Sequence, residues 1–406
     1  MSSRRRNSVA NTATTTTVAT PVDTTGKSKS TPKSNGTSTS PTDIAKFIPF
    51  LISVFGIPTM YCLRNINLAN DHIYLFLIGI IVCGLVGFLS WKFLPGYNVS
   101  FYFFVISAFT CMVDLVLSFT ALNIGNINWG KFYLDHGEEY LRDTHGAWIN
   151  LWDGTVHYFC YLYFTYSYIT KTTDTPLFHY LTLWWSGSVL NSLFVLIPGI
   201  FIGRYATIVK PSILLNIPFI FIPLYIGYQQ SKLTPNSSNK TISLYTTSIQ
   251  NYGAGIYLIF SGIIMIFRTM VALGSHANIF VTYSTYETYL KDTSCFPLMQ
   301  QLLYSYYYVP FFFILGYIFI TSNNNNGSLS WTFFNYLIIL MGGLAEGQFA
   351  YLGGWLVECG ESCGTNNSWV KPSFEGWEFW STVEFNYALL FIPQILVYIL
   401  YKNATA

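Results

Sequence analysis

From Lys46 onward the chain is so short of ionisable residues that it can scarcely fold in water. Charged side chains make up 9% of the 406 residues and apolar ones 52%, whereas soluble domains carry about 25% charged residues. Ten stretches stay apolar over roughly the 20 residues that a helix needs to cross the hydrocarbon core. They are 46–63, 72–94, 100–123, 147–169, 178–202, 211–229, 252–273, 297–321, 329–353 and 379–401. In lipid every backbone N–H and C=O must be satisfied within the segment, so such stretches become helices. The sequence therefore predicts an all-α, polytopic membrane protein of about ten spans. The fourth and ninth stretches are the most polar, because they carry Asp153 with His157 and Glu346 with several glycines.

Residues 1–45 are Ser, Thr, Asn and Pro, punctuated by Arg4–Arg6, Lys27, Lys29 and Lys33. They lack the aliphatic residues that bury a core, which predicts a disordered tail. No apolar run follows the arginines, as a signal peptide would require. An even number of spans puts both termini on one side. Twelve Lys and Arg then fall with the N-terminus and seven opposite, a bias toward a cytosolic N-terminus that owes most to the tail. On that topology the loop with Cys359, Cys363 and the sequon Asn366–Ser368 is luminal, open to a disulfide and a glycan. The sequons at Asn236, Asn239 and Asn326 then face the cytosol. A net charge of +2 gives nucleic acid no footprint. Without a CxxC pair, P-loop or GxSxG, zinc, nucleotide and α/β-hydrolase chemistry have no motif, and neither metal nor cofactor is expected.

The chain also repeats itself. Tyr140-Leu-Arg-Asp-Thr144 returns as Tyr289-Leu-Lys-Asp-Thr293, each copy lying between two apolar stretches. Each half closes with a helix in which an Asn precedes a Pro by seven residues, Asn216–Pro223 and Asn386–Pro393. Stretches three to six and seven to ten thus read as two four-helix units behind two leading helices. Both units start on the same side, which makes the repeat parallel and not the inverted kind found in many carriers. The expected divisions are 1–45, 46–95, 96–230 and 250–402.

A carboxylate at the centre of a membrane helix costs about 2.5–3.5 kcal/mol on insertion scales, so its presence asks for a reason. The fourth stretch is entered from a charged cluster, Asp135, Glu138, Glu139, Arg142 and Asp143, expected to be a solvated loop that caps the helix. Within it Asp153 and His157 share one face, continued by Cys160 and Tyr161. The third stretch carries Ser107, Thr110, Cys111, Asp114 and Ser118 along one face, and the sixth carries Asn216. Three helices of one unit bring polar groups that lipid would reject, which predicts a shared pocket. Its candidate ligand-binding residues are Cys111, Asp114, Asp153, His157 and Asn216. Asp114 and Asp153 are also the catalytic candidates, since one carboxylic acid could protonate an alkene while a second carboxylate steadies the cation. The same groups could equally hydrogen-bond one another and lock the helices together. In the second unit Arg268 stands where the first has Asp114, and Gln300–Gln301 lie near the place of Asp153, so acid chemistry belongs to the first unit. Arg268 is expected to pair with Glu346 or Glu384, Asn191 to serve packing, and Gly342, Gly343, Gly347, Gly353 and Gly354 to allow close helix approach.

Three blocks, FYLDHGEEYLRDTHGAWINLWDGTVHY at Phe132–Tyr158, LWWSGSVLNSLFVLIPGIFIGRY at Leu183–Tyr205 and IPFIFIPLYIG at Ile217–Gly227, resemble the transmembrane 6 superfamily. The likeness runs over residues 48–400, through YETYLKD at Tyr286–Asp292 and through Leu344–Gly354. It implies two tandem EXPERA domains, shared with the emopamil-binding protein, a sterol Δ8-Δ7 isomerase, and with sigma-2-type sterol-binding receptors. It places Asp114 and Asp153 at the two pocket acids of that wider group, and Asn216 at an Asn of the isomerase pocket. The chain departs from the isomerase in having Cys111 near its histidine and Asp in place of its longer Glu. The implied function is binding of a sterol or related lipid in the first unit, in lipid homeostasis or export. The implied location is the endoplasmic reticulum, the ER–Golgi intermediate compartment or the lysosomal membrane. The alternatives are a sterol isomerase using Asp114 and Asp153, and a non-binding scaffold for lipid-metabolism proteins.

Overall fold

In a computed structural model of the chain the described residues are 46–234, 241–244, 248–321, 328–356 and 376–405, all within one compact unit, Ser40–Ala406. Each of the ten apolar stretches is helical. They form α1 (Ile48–Leu63, interrupted at Phe55), α2 (His72–Phe93), α3 (Val99–Ala121), α4 (144–170) and α5 (Pro176–Ile202). The chain continues through α6 (Pro211–Ser231), α7 (Ser248–Ala272), α8 (Phe296–Thr321), α9 (Trp331–Leu356) and α10 (Trp377–Thr405). Eight of these are long and apolar enough to cross a membrane; α1 is shorter, and α4 is diluted by Asp153, His157 and its tyrosines. Among the described residues the extended structure is one antiparallel pair, β1 (Thr241–Ser243) against β2 (Ser328–Ser330), with Ile242 opposite Leu329. The tail 1–45, the loop with Cys359, Cys363 and Asn366–Ser368, and Asn236, Asn239 and Asn326 lie outside the described residues.

Side chains set several helix starts by accepting N–H groups that the first turn leaves unpaired. Asp71 takes those of Ile73 and Tyr74 ahead of α2, Asn98 that of Phe101 ahead of α3, and Thr175 that of Phe178 ahead of α5, where Pro176 fills the first position. Burial then sorts the helices. Only 17% of the apolar span of α2 is buried, against 72% for α5 and 89% for α9. Helix α2 therefore presents its apolar surface to lipid, while α5 and α9 form the centre.

At that centre α5 and α9 meet backbone to backbone. A Cβ on Gly187 would overlap the main chain of Ile339, and a Cβ on Gly342 would overlap the main chain of Trp184. These are one contact seen from its two sides. The step of 155 residues that carries Asn191 to Glu346 also carries Gly187 to Gly342 and Trp184 to Ile339. The two helices thus cross about a local two-fold relation. Asn191 Nδ2 donates to Glu346 Oε2 across it at 2.6 Å. Asn191 and Gln300 of α8 exchange a pair of 3.2 Å hydrogen bonds, and Tyr308 OH donates to Asn191 Oδ1. Asn191, expected to serve packing, is the polar pin of this crossing.

The repeated motif has structural counterparts. Both copies form a 3-10 turn, Glu139–Arg142 and Thr288–Lys291. The helix after each copy widens into a π turn, Asp153–His157 in α4 and Tyr304–Tyr308 in α8. By this alignment Tyr304, and not Gln300 or Gln301, stands in the place of Asp153. The motif copies lie 149 residues apart (Tyr140 to Tyr289) but the π turns 151 apart (Asp153 to Tyr304), so the second copy has two more residues between motif and π turn, a shift that residue counting across the repeat does not register.

Gly187→Ala is expected to lower stability by about 1–3 kcal/mol, the usual cost of forcing volume into a filled contact, and to lower the melting temperature in detergent. Gly84→Ala, on the exposed side of α2 with nothing within 4 Å of the new methyl, is expected to leave it unchanged or raise it slightly.

A buried carboxylate cluster as the candidate functional site

Helix α3 supplies Cys111 and Asp114, and the π turn of α4 supplies Asp153 and His157. Their closeness depends on Gly154, because a Cβ there would lie 2.7–2.8 Å from the Cα, Cβ and N of Leu115. With glycine at that point the main chains touch, and Asp114 and Asp153 come within electrostatic reach of each other, with Cys111 within reach of both. Asp153 keeps a quarter of its side chain exposed, and Asp114 is partly buried. His157 is buried and fully committed. Its Nδ1 is 2.5 Å from Asp153 Oδ1 and its Nε2 is 2.8 Å from Ser188 Oγ of α5, which also accepts from Trp152 Nε1. The imidazole therefore ties the π turn to α5 and fixes the aim of Asp153.

Asn216, at the start of α6, reaches a residue that the sequence reading assigned to solvent. Its Nδ2 donates to Glu138 Oε1 at 2.8 Å and lies 3.5 Å from Tyr140 OH, while Tyr133 OH donates to Glu138 Oε2 at 3.2 Å. Glu138 is 6% exposed and Asp143 1%. The loop from Asp135 to Asp143 is thus not a solvated cap, although Asp143 does accept the N–H of His145 at the start of α4. The loop folds inward because these bonds take the place of water. Burial pushes the Glu138 carboxyl above the ordinary range, opposed by the hydrogen bonds from Tyr140, Tyr133 and Asn216. Asp114 lies within electrostatic reach of Glu138 as well as of Asp153. The sequence-predicted residues therefore form two groups, Asp114–Cys111–Asp153–His157 and Asn216–Glu138, that Asp114 connects. Glu138 was legible in one respect: a Glu stands two residues before the motif Tyr in both copies, Glu138 and Glu287.

Glu287 meets a different fate. Arg268 Nε and Nη2 grip its two oxygens at 3.1 and 2.7 Å, with both residues fully buried. Tyr351 OH donates to it at 2.9 Å and Asn386 Nδ2 at 3.3 Å. Asn386 thus repeats the role of Asn216. The partner of Arg268 is Glu287 and not Glu346 or Glu384, since Glu346 faces Asn191 at the α5–α9 crossing. In the second half a guanidinium neutralises the acid; in the first, Asp114 stands in the corresponding position.

Outside the spans the two motif aspartates converge on one cation. Arg204, just beyond α5, pairs with Asp143 at 2.5 Å and lies 3.9 Å from Asp292, and its backbone N–H donates to Thr293. Tyr205 OH also donates to Asp143. Burial, and then the like charge of Asp292, raise the Asp143 carboxyl to about 7 in spite of Arg204. Among the described residues no group of three or more His, Cys, Asp and Glu has the geometry of a metal site.

Comparison with known proteins adds the following. The family model described as "Transmembrane 6 superfamily member 2-like, transmembrane domain" matches residues 55–241. The human protein named transmembrane 6 superfamily member 2 is 27% identical over 314 residues, 74% of this chain and 80% of the relative. The proteins of the same name from rat and mouse are each 28% identical over 316 residues, with the same coverage. No solved structure matches.

Asp143 titrates near 3.8 when unfolded and near 7 when folded. Its folded pKa is raised, so the native state holds a proton that the unfolded state releases. The stability this contributes is fully present below about pH 4 and is lost as the pH rises through about 7. The melting temperature is expected to fall across that window, and Asp143→Asn to flatten the fall. A pH profile of thermal unfolding in detergent reads both.

Proposed function

We propose that the chain is a member of the transmembrane 6 superfamily, which its likeness to the family model and to the mammalian relatives supports, and that it binds a sterol or related lipid within α3–α6 and acts in lipid homeostasis or export. On this reading α3–α6 and α7–α10 are tandem EXPERA domains, within about 96–230 and 250–402, behind a two-helix preface. The membrane is that of the endoplasmic reticulum, the ER–Golgi intermediate compartment or the lysosome. The observation that carries the reading is a polar end set against an aromatic wall. Asp114, Asp153 and Glu138 gather beside Cys111, which packs in one cluster with Phe103, Phe104, Tyr161, Phe164 and Trp185. Within that cluster Trp185 stacks edge-on against Phe104, Tyr161 and Phe164 at 5.4–5.6 Å. A rigid apolar body with one hydroxyl suits this chemistry, its hydroxyl donating to a carboxylate and its rings taking over contacts that these buried aromatic side chains make with one another.

The second half supports the asymmetry. Its acid Glu287 is already closed off by Arg268, Tyr351 and Asn386, so the binding groups belong to the first half. One further observation favours a chemical role: Asp153, His157 and Ser188 form a continuous hydrogen-bonded chain leading away from a partly exposed carboxylate. Such a chain can relay a proton, as an isomerase would need. The proposed partners are the bilayer and its lipids and, on the scaffold alternative, proteins of lipid metabolism.

The test is photocrosslinking of a diazirine sterol to the purified chain, wild type against Asp114→Asn/Asp153→Asn, with Δ8 to Δ7 conversion assayed on the same samples. Labelling is expected to weaken by about tenfold or more, since a hydrogen bond to a charged group contributes about 1.5–3 kcal/mol. Conversion that disappears in the variant would make this an isomerase. A folded wild type that takes up no label would leave the carboxylates as helix-packing groups and end the proposal.

A further inference from the structure

At one end of the bundle the turn between α1 and α2 meets the segment that follows α3, and the two enclose an open groove of about 250 Å³. Arg64, Asn70, Asn128, Lys131, Phe132, Asp135 and His136 line it. Along the chain it adjoins the Glu138 end of the acidic cluster, two residues from His136, but its lining carries more cations than acids. Arg64 spends one nitrogen on Asn128 Oδ1 at 3.2 Å and lays its guanidinium 4.8 Å from the Tyr61 ring, and no carboxylate pairs with it among the described residues. Lys131 is two-thirds exposed. The single acid of the groove, Asp135, is shared between Lys131 at 2.7 Å and Arg142. The groove therefore offers an arginine fork, an ammonium, two amides and an imidazole, with its only carboxylate neutralised.

Its position and size narrow the ligand. The groove lies where apolar helices end, at the height of lipid headgroups, and Tyr61 and Trp129 pack edge to face beside it at 5.3 Å as interfacial aromatics do. Drug-sized ligands fill about 300–1,000 Å³, so this volume suits a headgroup and not a whole lipid. Helix α2 starts two residues beyond Asn70 of the groove, and its Ile73, Tyr74, Leu77, Ile80 and Ile81 are exposed and apolar, a surface along which acyl chains can lie. Arginine forks match phosphate oxygens two at a time, and lysine adds a point charge.

We propose that this groove seats the phosphate of an anionic glycerophospholipid between Arg64 and Lys131, with the acyl chains running down the exposed face of α2. Asp135 restrains the site by holding Lys131, and a free phosphate ion is the other source of the same chemistry. The test is native mass spectrometry of the full chain in detergent with dioleoyl phosphatidylglycerol or dioleoyl phosphatidylcholine. The wild type is expected to retain the anionic lipid about tenfold better, and Arg64→Gln/Lys131→Gln to reduce it to the level of the neutral lipid. Asp135→Asn, which frees Lys131, is expected to raise retention of the anionic lipid severalfold, and this variant carries the test even where the double variant does not fold. Displacement by millimolar inorganic phosphate at matched ionic strength would overturn the lipid in favour of the free ion. Equal retention of both lipids by the wild type, or no response to Asp135→Asn, would overturn the site altogether.

Discussion

The rest of the structure depends on the contact between α5 and α9. Lipid offers no hydrophobic drive for one apolar helix to join another, so association rests on close packing and on polar groups that find partners nowhere else. Gly187 and Gly342 let the main chains touch, and Asn191 with Glu346 then supplies a hydrogen bond at the crossing. Each helix brings its own half of the chain with it. Helix α5 carries Ser188, which holds His157 and through it Asp153, and ends near Arg204, which reaches both motif aspartates. The placement of the acidic cluster thus follows from a contact made by residues that take no part in it.

The two halves resolve one electrostatic problem in opposite ways. Each buries a glutamate two residues before its motif tyrosine, and each gives it an asparagine from the last helix of the half. Where Arg268 is present, the charge is compensated and the acid is closed off, as a buried pair must be if it is not to cost several kcal/mol. Where Asp114 stands instead, no cation among the described residues answers Glu138; hydrogen bonds from Tyr133, Tyr140 and Asn216 hold it, and Asp114 lies within electrostatic reach of it and of Asp153. One half is therefore built for permanence, and the other keeps polar capacity that something else can use.

All ten helices were legible in advance because the signal that marks them is local. An apolar stretch of sufficient length has one way to satisfy its backbone in lipid, and no neighbour need be known to say so. Asp114, Asp153 and Cys111 were legible as polar groups where lipid would reject them. Glu138 was not, since a glutamate in a charged run reads as solvent-facing until the loop is seen folding beneath Asn216. Arg268 was recognised as a buried cation, but its partner was misjudged. Glu287 is brought to it by the turn of Thr288–Lys291, and the spacing along the chain does not reveal that turn. Tyr304 was missed as the counterpart of Asp153 because the second copy has two more residues between its motif and its π turn than the first.

Sequence alone determined that this chain is a helical membrane protein, where its ten long apolar helices lie to within a few residues, that it repeats, and that its first half is the acidic one. Those properties follow from the hydrophobicity and covalent order of neighbouring residues, which act over one or two turns of helix. Tertiary structure decided which charges meet. Asn216 lies 78 residues from Glu138 and Glu346 155 from Asn191, and pairings at such separations depend on which helix faces pack. A glycine at one crossing or one extra residue in a turn can change those faces without altering the pattern from which the helices are read.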